Sequence, residues 1–158
     1  MDVSSALMGL VFILLIVIPI YLVNRSTRKK REALVKELQQ EFPNANTIIE
    51  YEIWNSNSSI IALTEKQVLF LNKGEKAKEI EDIDIQNIYS CKIRKEFKDN
   101  SKNGDRNAIE KLYLDFSFKD GIADKSITFF QIDSKNFIIG NEINLAEQWL
   151  IKIYQSHQ

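Results

Sequence analysis

The stretch Thr47-Ile48-Ile49-Glu50-Tyr51-Glu52-Ile53-Trp54-Asn55-Ser56-Asn57-Ser58-Ser59-Ile60-Ile61-Ala62-Leu63-Thr64-Glu65-Lys66-Gln67-Val68-Leu69-Phe70-Leu71 decides how most of this 158-residue chain folds. Its apolar residues are β-branched and aromatic, they come in runs of five to seven, and each run stops at a cluster of turn formers. That punctuation is the signature of short antiparallel strands rather than of helices. Residues 48–54, 59–63 and 67–71 read as three strands. Asn55-Ser56-Asn57-Ser58 and Thr64-Glu65-Lys66 read as the turns between them.

The same grammar continues downstream. Lys73-Gly74 closes a turn before a fourth short strand around 76–80. Residues 87–97 alternate, with Tyr89, Cys91 and Ile93 on one face and Lys92, Arg94 and Glu96 on the other. Residues 111–118 alternate with Leu112, Leu114, Phe116 and Phe118 inward, and 126–132 is the last clear strand after an Asp120-Gly121 turn. The polar residues 98–108 read as a loop. A helix is expected from about Glu142, with Asn144 and Glu147 at capping-box spacing and Leu145, Ala146, Trp149, Leu150 and Ile153 as its buried face. The expected class is α+β, mainly β: a curved sheet, sandwich or partial barrel of about seven strands. Its open end would be plugged by the helix carrying Leu145, Trp149 and Ile153.

Upstream, the hydrophobic pattern belongs to a different solvent. Residues 6–23 carry no charge, and at about 1.5 Å per residue they span roughly 27 Å, near the thickness of a bilayer core. Only Asp2 precedes the run, whereas Arg25, Arg28, Lys29, Lys30 and Arg31 follow it. By the positive-inside rule the N-terminus faces out and the following domain lies on the cytoplasmic side of the inner membrane. A cleaved signal peptide would want basic residues ahead of the run and a small-x-small site behind it, and neither is present. Ser5 and Gly9 form a small-xxx-small pair suited to close approach of another helix, beside the plainer reading of a lipid-facing anchor.

Residues 25–42 continue as a mixed-charge helix in which Leu34, Leu38 and Phe42, with Val35 beside them, form one apolar stripe. The sequence thus divides into an anchor (1–24), a basic juxtamembrane helix or stalk (25–45) and a β-rich cytoplasmic domain (46–158). The five basic residues would sit at the level of anionic headgroups.

The run Ile61-Ala62-Leu63-Thr64-Glu65-Lys66-Gln67-Val68-Leu69-Phe70 resembles the hairpin of bacterial pleckstrin-homology-like domains, in which leucine-threonine and a charged pair lead into an apolar strand. Glu81-Asp82-Ile83-Asp84-Ile85-Gln86-Asn87-Ile88 resembles that family's acidic step into its second sheet. The likeness extends over residues 46–156. It implies a two-sheet barrel of about seven strands capped by a C-terminal helix, and it implies binding or scaffolding rather than catalysis.

The residues for chemistry are sparse. The only histidine, His157, is penultimate, and the only cysteine, Cys91, alternates with Tyr89 and Ile93 as a small core residue would. Glu79, Glu81, Asp82 and Asp84 lack the glycine and terminal glutamate of a calcium loop. No glycine-rich phosphate loop occurs. From Gln39 onward 15 Lys and Arg face 19 Asp and Glu, a balance that disfavours nucleic acid and free anionic surfaces. No cofactor, metal or small-molecule substrate is expected. The sequence points to a membrane-anchored, non-catalytic interaction module that works as an accessory subunit of a membrane complex. The alternative is an anionic-lipid sensor that uses the basic juxtamembrane segment.

Overall fold

The computed structural model describes residues 3–55, 58–74, 77–97, 109–119, 121–132 and 139–156, with side chains of the first helix from Phe12 onward. Helix α1 (Val3–Glu41) leads into strands β1 (Glu50–Trp54), β2 (Ser59–Leu63), β3 (Gln67–Lys73) and β4 (Lys78–Asp84). A 3-10 turn (Ile85–Asn87) precedes β5 (Ile88–Phe97), β6 (Ile109–Phe118) and β7 (Lys125–Gln131), and helix α2 (Glu142–Ser156) ends the fold. The class is α+β and mainly β. β1–β4 form one antiparallel meander and β5–β7 a second.

Local chemistry explains the turns. Thr64 closes the β2–β3 hairpin: its hydroxyl accepts the Gln67 N–H at 2.9 Å and the Lys66 N–H at 3.3 Å, and donates to the Gln67 carbonyl. Asp84 makes the step between sheets by accepting the Gln86 N–H at 3.0 Å and the Asn87 amide at 2.9 Å. β4 extends to Asp84 instead of ending near 80, because it pairs with β3 from Lys73↔Lys78 through Gln67↔Asp84. Its acidic residues disguise a strand as a loop.

Every residue of β2 is buried, which a half-exposed strand would not show. One face of the first sheet (Ile61, Leu63, Val68, Phe70) packs with Leu112, Leu114, Phe116, Ile127 and Phe129 of the second. Leu145, Ala146, Trp149 and Ile153 of α2 complete that core. On the opposite face, Ile53, Ile60, Ala62, Leu69 and Leu71 pack against Leu34 and Leu38 of α1, with Val35, Phe42, Ala45 and Ile48 at the margin. The continuous apolar run Ile60–Leu63 therefore reflects a strand covered on both sides. Glu37 pairs with Lys73 and, at 3.0 Å, with Lys78, while Glu41 pairs with Lys78. The expected stalk, 25–45, supplies a third layer of the domain.

Three expectations need correction. First, among the described residues no closed barrel forms. β4 and β7 run antiparallel as neighbours, but side chains bridge them where a ladder would close a barrel. Lys125 Nζ donates to the Asp82 carbonyl at 2.6 Å, and the Glu79 carboxylate accepts the Thr128 N–H and hydroxyl at 3.3 and 3.1 Å. Second, Tyr89 is 76% exposed rather than inward with Cys91. The ladder passes from Ile88↔Phe118 to Ser90↔Ser117, leaving Tyr89 as the extra residue of a bulge that turns it outward. Third, α2 begins at Glu142, so Asn144 and Glu147 lie inside it; the Glu142 carboxylate instead accepts the Gly140 N–H at 2.6 Å.

Among the described residues no helix is long and apolar enough to cross a membrane. The part of the expected span whose side chains are described, 12–23, measures roughly 18 Å at the helical rise, against a hydrocarbon core of about 30 Å. The rest of that run, with Ser5 and Gly9, lies outside the described side chains.

Candidate functional site

α1 crosses the first sheet over β2 and β3, to which it is packed, and leaves the outer face of β1 open at Tyr51. Ile53 points under the helix, so Tyr51, two residues earlier, stands on the same face beside it. Between the flank of α1 and Tyr51 lies an open groove of about 900 Å³ that runs from Asn24 to Gln39. Val35 contributes an apolar patch, and Arg28, Arg31 and Lys36 make its wall basic, with Glu32 the acidic residue there.

The helical period sorts the expected basic collar. Arg28 and Arg31 line the groove, whereas Arg25, Lys29 and Lys30 do not. Arg28 pairs with Glu32 one turn on, at 3.2 Å, an exposed contact of small energetic weight. Arg31 and Lys36 have no acidic partner among the described residues, and the Tyr51 hydroxyl makes no hydrogen bond there. The groove therefore holds uncompensated positive charge at the point where α1 leaves the domain. Above it, the large apolar side chains from Phe12 to Val23 are exposed on every side of the helix. The groove was not legible in the sequence, because Tyr51 and Arg31 meet only through the crossing of α1 over the sheet.

The remaining candidates serve the fold. Cys91 is buried and its thiol is pushed up to about 12 by burial and the charge of Asp115. Its backbone N–H donates to the Tyr154 hydroxyl at 3.3 Å, and that hydroxyl donates to the Cys91 carbonyl at 2.9 Å. Of the acidic residues 79–84, Glu79 bridges the β4–β7 seam, Glu81 and Asp82 pair with Lys125, and Asp84 caps the turn. Among the described residues no three His, Cys, Asp or Glu side chains are placed to share a metal ion. A second pocket, of about 290 Å³ on the outer face of β5–β7, is lined by Lys92 and Lys125 against Asp115 and Asp124. Asp115 there is already held by Arg94 at 2.6 Å and Ser126 at 2.7 Å. His157 lies outside the described residues. Leu145, Trp149 and Ile153 are core residues, and the Trp149 indole N–H has no hydrogen-bond partner among the described residues.

No protein-family model, curated protein or solved structure matches the chain.

Proposed function

We propose that this protein is a membrane-anchored, pleckstrin-homology-like interaction module, an accessory subunit that holds a protein partner at the inner face of the membrane. One observation carries the reading. Large apolar side chains from Phe12 to Val23 stand exposed on a helix whose other end is built into the folded domain by Leu34, Leu38, Glu37 and Glu41. Covering a large aliphatic or aromatic side chain is worth about 1.5–3 kcal/mol, so such a helix calls for lipid or protein around it. In sequence the uncharged run extends back to Ala6, which makes it roughly 27 Å long.

The meander of four strands, the meander of three and the closing helix support the family reading. The non-catalytic part rests on the reactive side chains being occupied structurally: Cys91 in the core and Glu79 in the strand seam. For a protein partner, the outer strand edges are the natural contact. Tyr154 occupies the edge of β5 at Cys91, which leaves β1 as the more accessible edge. Because α1 is fused to the sheet, the anchor would fix both the place and the orientation of that edge.

Gentle detergent extraction of the full chain with a C-terminal tag, followed by size-exclusion chromatography and mass spectrometry, tests this. A stoichiometric membrane-protein companion is expected. A monodisperse monomer that carries no companion would argue against the scaffold role.

A further inference from the structure

We infer that the groove between α1 and β1 seats the phosphate headgroup of an anionic phospholipid whose acyl chains lie along the apolar part of α1. The inference rests on the membrane attachment proposed above but goes beyond it, since an anchor needs no lipid selectivity.

Charge complementarity points to an anion. Neither Arg31 nor Lys36 makes an ion pair among the described residues, both line the same groove as Arg28, and Glu32, the acid of that groove, is paired with Arg28. An unpaired guanidinium and an unpaired ammonium on one wall suit a phosphate, with the Tyr51 hydroxyl across from them as a further donor. Continuity then selects a lipid over a free anion or an acidic peptide. The groove opens at Asn24, directly below the exposed side chains that end at Val23. From Asn24 the helix descends about 10 Å to Arg31 and about 18 Å to Lys36, and helical side chains lean back toward the N-terminus, here the side of the apolar run. An acidic peptide would match the charge and leave the adjoining apolar surface unused, whereas one amphiphile matches both.

The position of the remaining basic residues makes the idea testable. Lys29 and Lys30 belong to the same collar but do not line the groove. Diffuse attraction to an anionic membrane would depend on them as much as on Arg31 and Lys36.

The full chain is reconstituted into nanodiscs of phosphatidylcholine doped with phosphatidylglycerol, and native mass spectrometry counts the lipids retained on release. Wild type is expected to keep one phosphatidylglycerol per chain. Arg31→Ala/Lys36→Ala should lower that retention about tenfold or more, while Lys29→Ala/Lys30→Ala leaves it near the wild-type level. All four substituted residues are exposed, and circular dichroism verifies that the variants fold. Equal losses in the two double variants, or no preference for phosphatidylglycerol, would overturn the inference. So would unchanged lipid retention in Arg31→Ala/Lys36→Ala accompanied by loss of a co-purifying acidic protein. Failure of the wild-type chain to enter the discs at all would instead overturn the anchoring proposal, so the two failures are distinguishable.

Discussion

Trp54, the last residue of β1, donates its indole N–H to the carbonyl of Phe129 in β7 at 2.8 Å, and its ring lies 4.9 Å from the Phe129 ring at 15°. The contact exists because the β6–β7 ladder passes from Leu112↔Phe130 to Tyr113↔Thr128 and skips Phe129. The bulge turns both Phe129 and Phe130 into the core and presents the Phe129 carbonyl to the other sheet. With Phe70 also stacked on it, at 6.0 Å, Trp54 ties together two sheets that share no hydrogen-bond ladder among the described residues.

Trp54→Phe keeps a ring in that slot and removes the donor. The Phe129 carbonyl is then left without its partner, and stability should fall by about 1–3 kcal/mol. Urea unfolding followed by far-ultraviolet circular dichroism measures the loss. An unchanged midpoint would mean that the hydrogen bond contributes nothing.

Helix α1 should behave as part of the domain. Leu38 is fully buried beneath it, so Leu38→Ala should cost about 2–5 kcal/mol and expose the 42–48 connection to protease. Glu41→Gln, which removes one exposed-to-intermediate ion pair, should cost no more than about 1 kcal/mol, and less at high salt. If Leu38→Ala unfolds at the wild-type denaturant concentration, the helix is merely resting on the sheet.

Glu79 and Glu37 should pull the pH dependence in opposite directions. Burial raises the Glu79 pKa above its ordinary 4.5, against hydrogen bonds from Thr128 and Asn72. The folded state thus binds this proton more tightly than the unfolded one. Its favourable contribution is complete below 4.5 and is lost as pH rises through the raised value. Glu79→Gln keeps an acceptor for Thr128, so the variant should match wild type in acid and gain on it toward neutral pH. The Lys73 ammonium holds the Glu37 carboxyl below 4.5, so Glu37 stabilises above that value and the benefit fades as pH falls through its lowered pKa. Glu37→Gln should be weaker than wild type at neutral pH, the gap closing in acid. Thermal melts across the acid range check both signs.

Cys91 should be silent toward thiol reagents in the native state. It is buried and its thiol is pushed up to about 12, so thiolate is scarce at pH 8. Reaction with a disulfide reagent should proceed only at the rate of unfolding and become fast in denaturant. Rapid native labelling would show that the edge of β5 opens independently of the global fold.

The sequence disclosed the parts of this fold that depend on neighbours along the chain. β2, the residues of α2 and the apolar stripe Leu34, Leu38, Phe42 all follow from local period. It did not disclose what depends on pairing. The outward turn of Tyr89 and the skipped Phe129 come from bulges, which a strict two-residue alternation cannot register. β4 reads shorter in the sequence because Glu79, Glu81 and Asp82 look like loop residues until Thr128 and Lys125 supply their partners. The basic collar was visible, but its division into groove-lining Arg28 and Arg31 and outward Lys29 and Lys30 required the angle at which α1 crosses the sheet.

Attachment to the membrane underlies both proposals, and carbonate extraction measures it most directly. Membranes from cells expressing the full chain are washed at alkaline pH, and the pellet and supernatant are probed for the C-terminal domain. The account predicts that the chain stays in the pellet, and that substituting charged residues for Leu15 and Ile16 moves it to the supernatant. Release of the unaltered chain by the alkaline wash would contradict it.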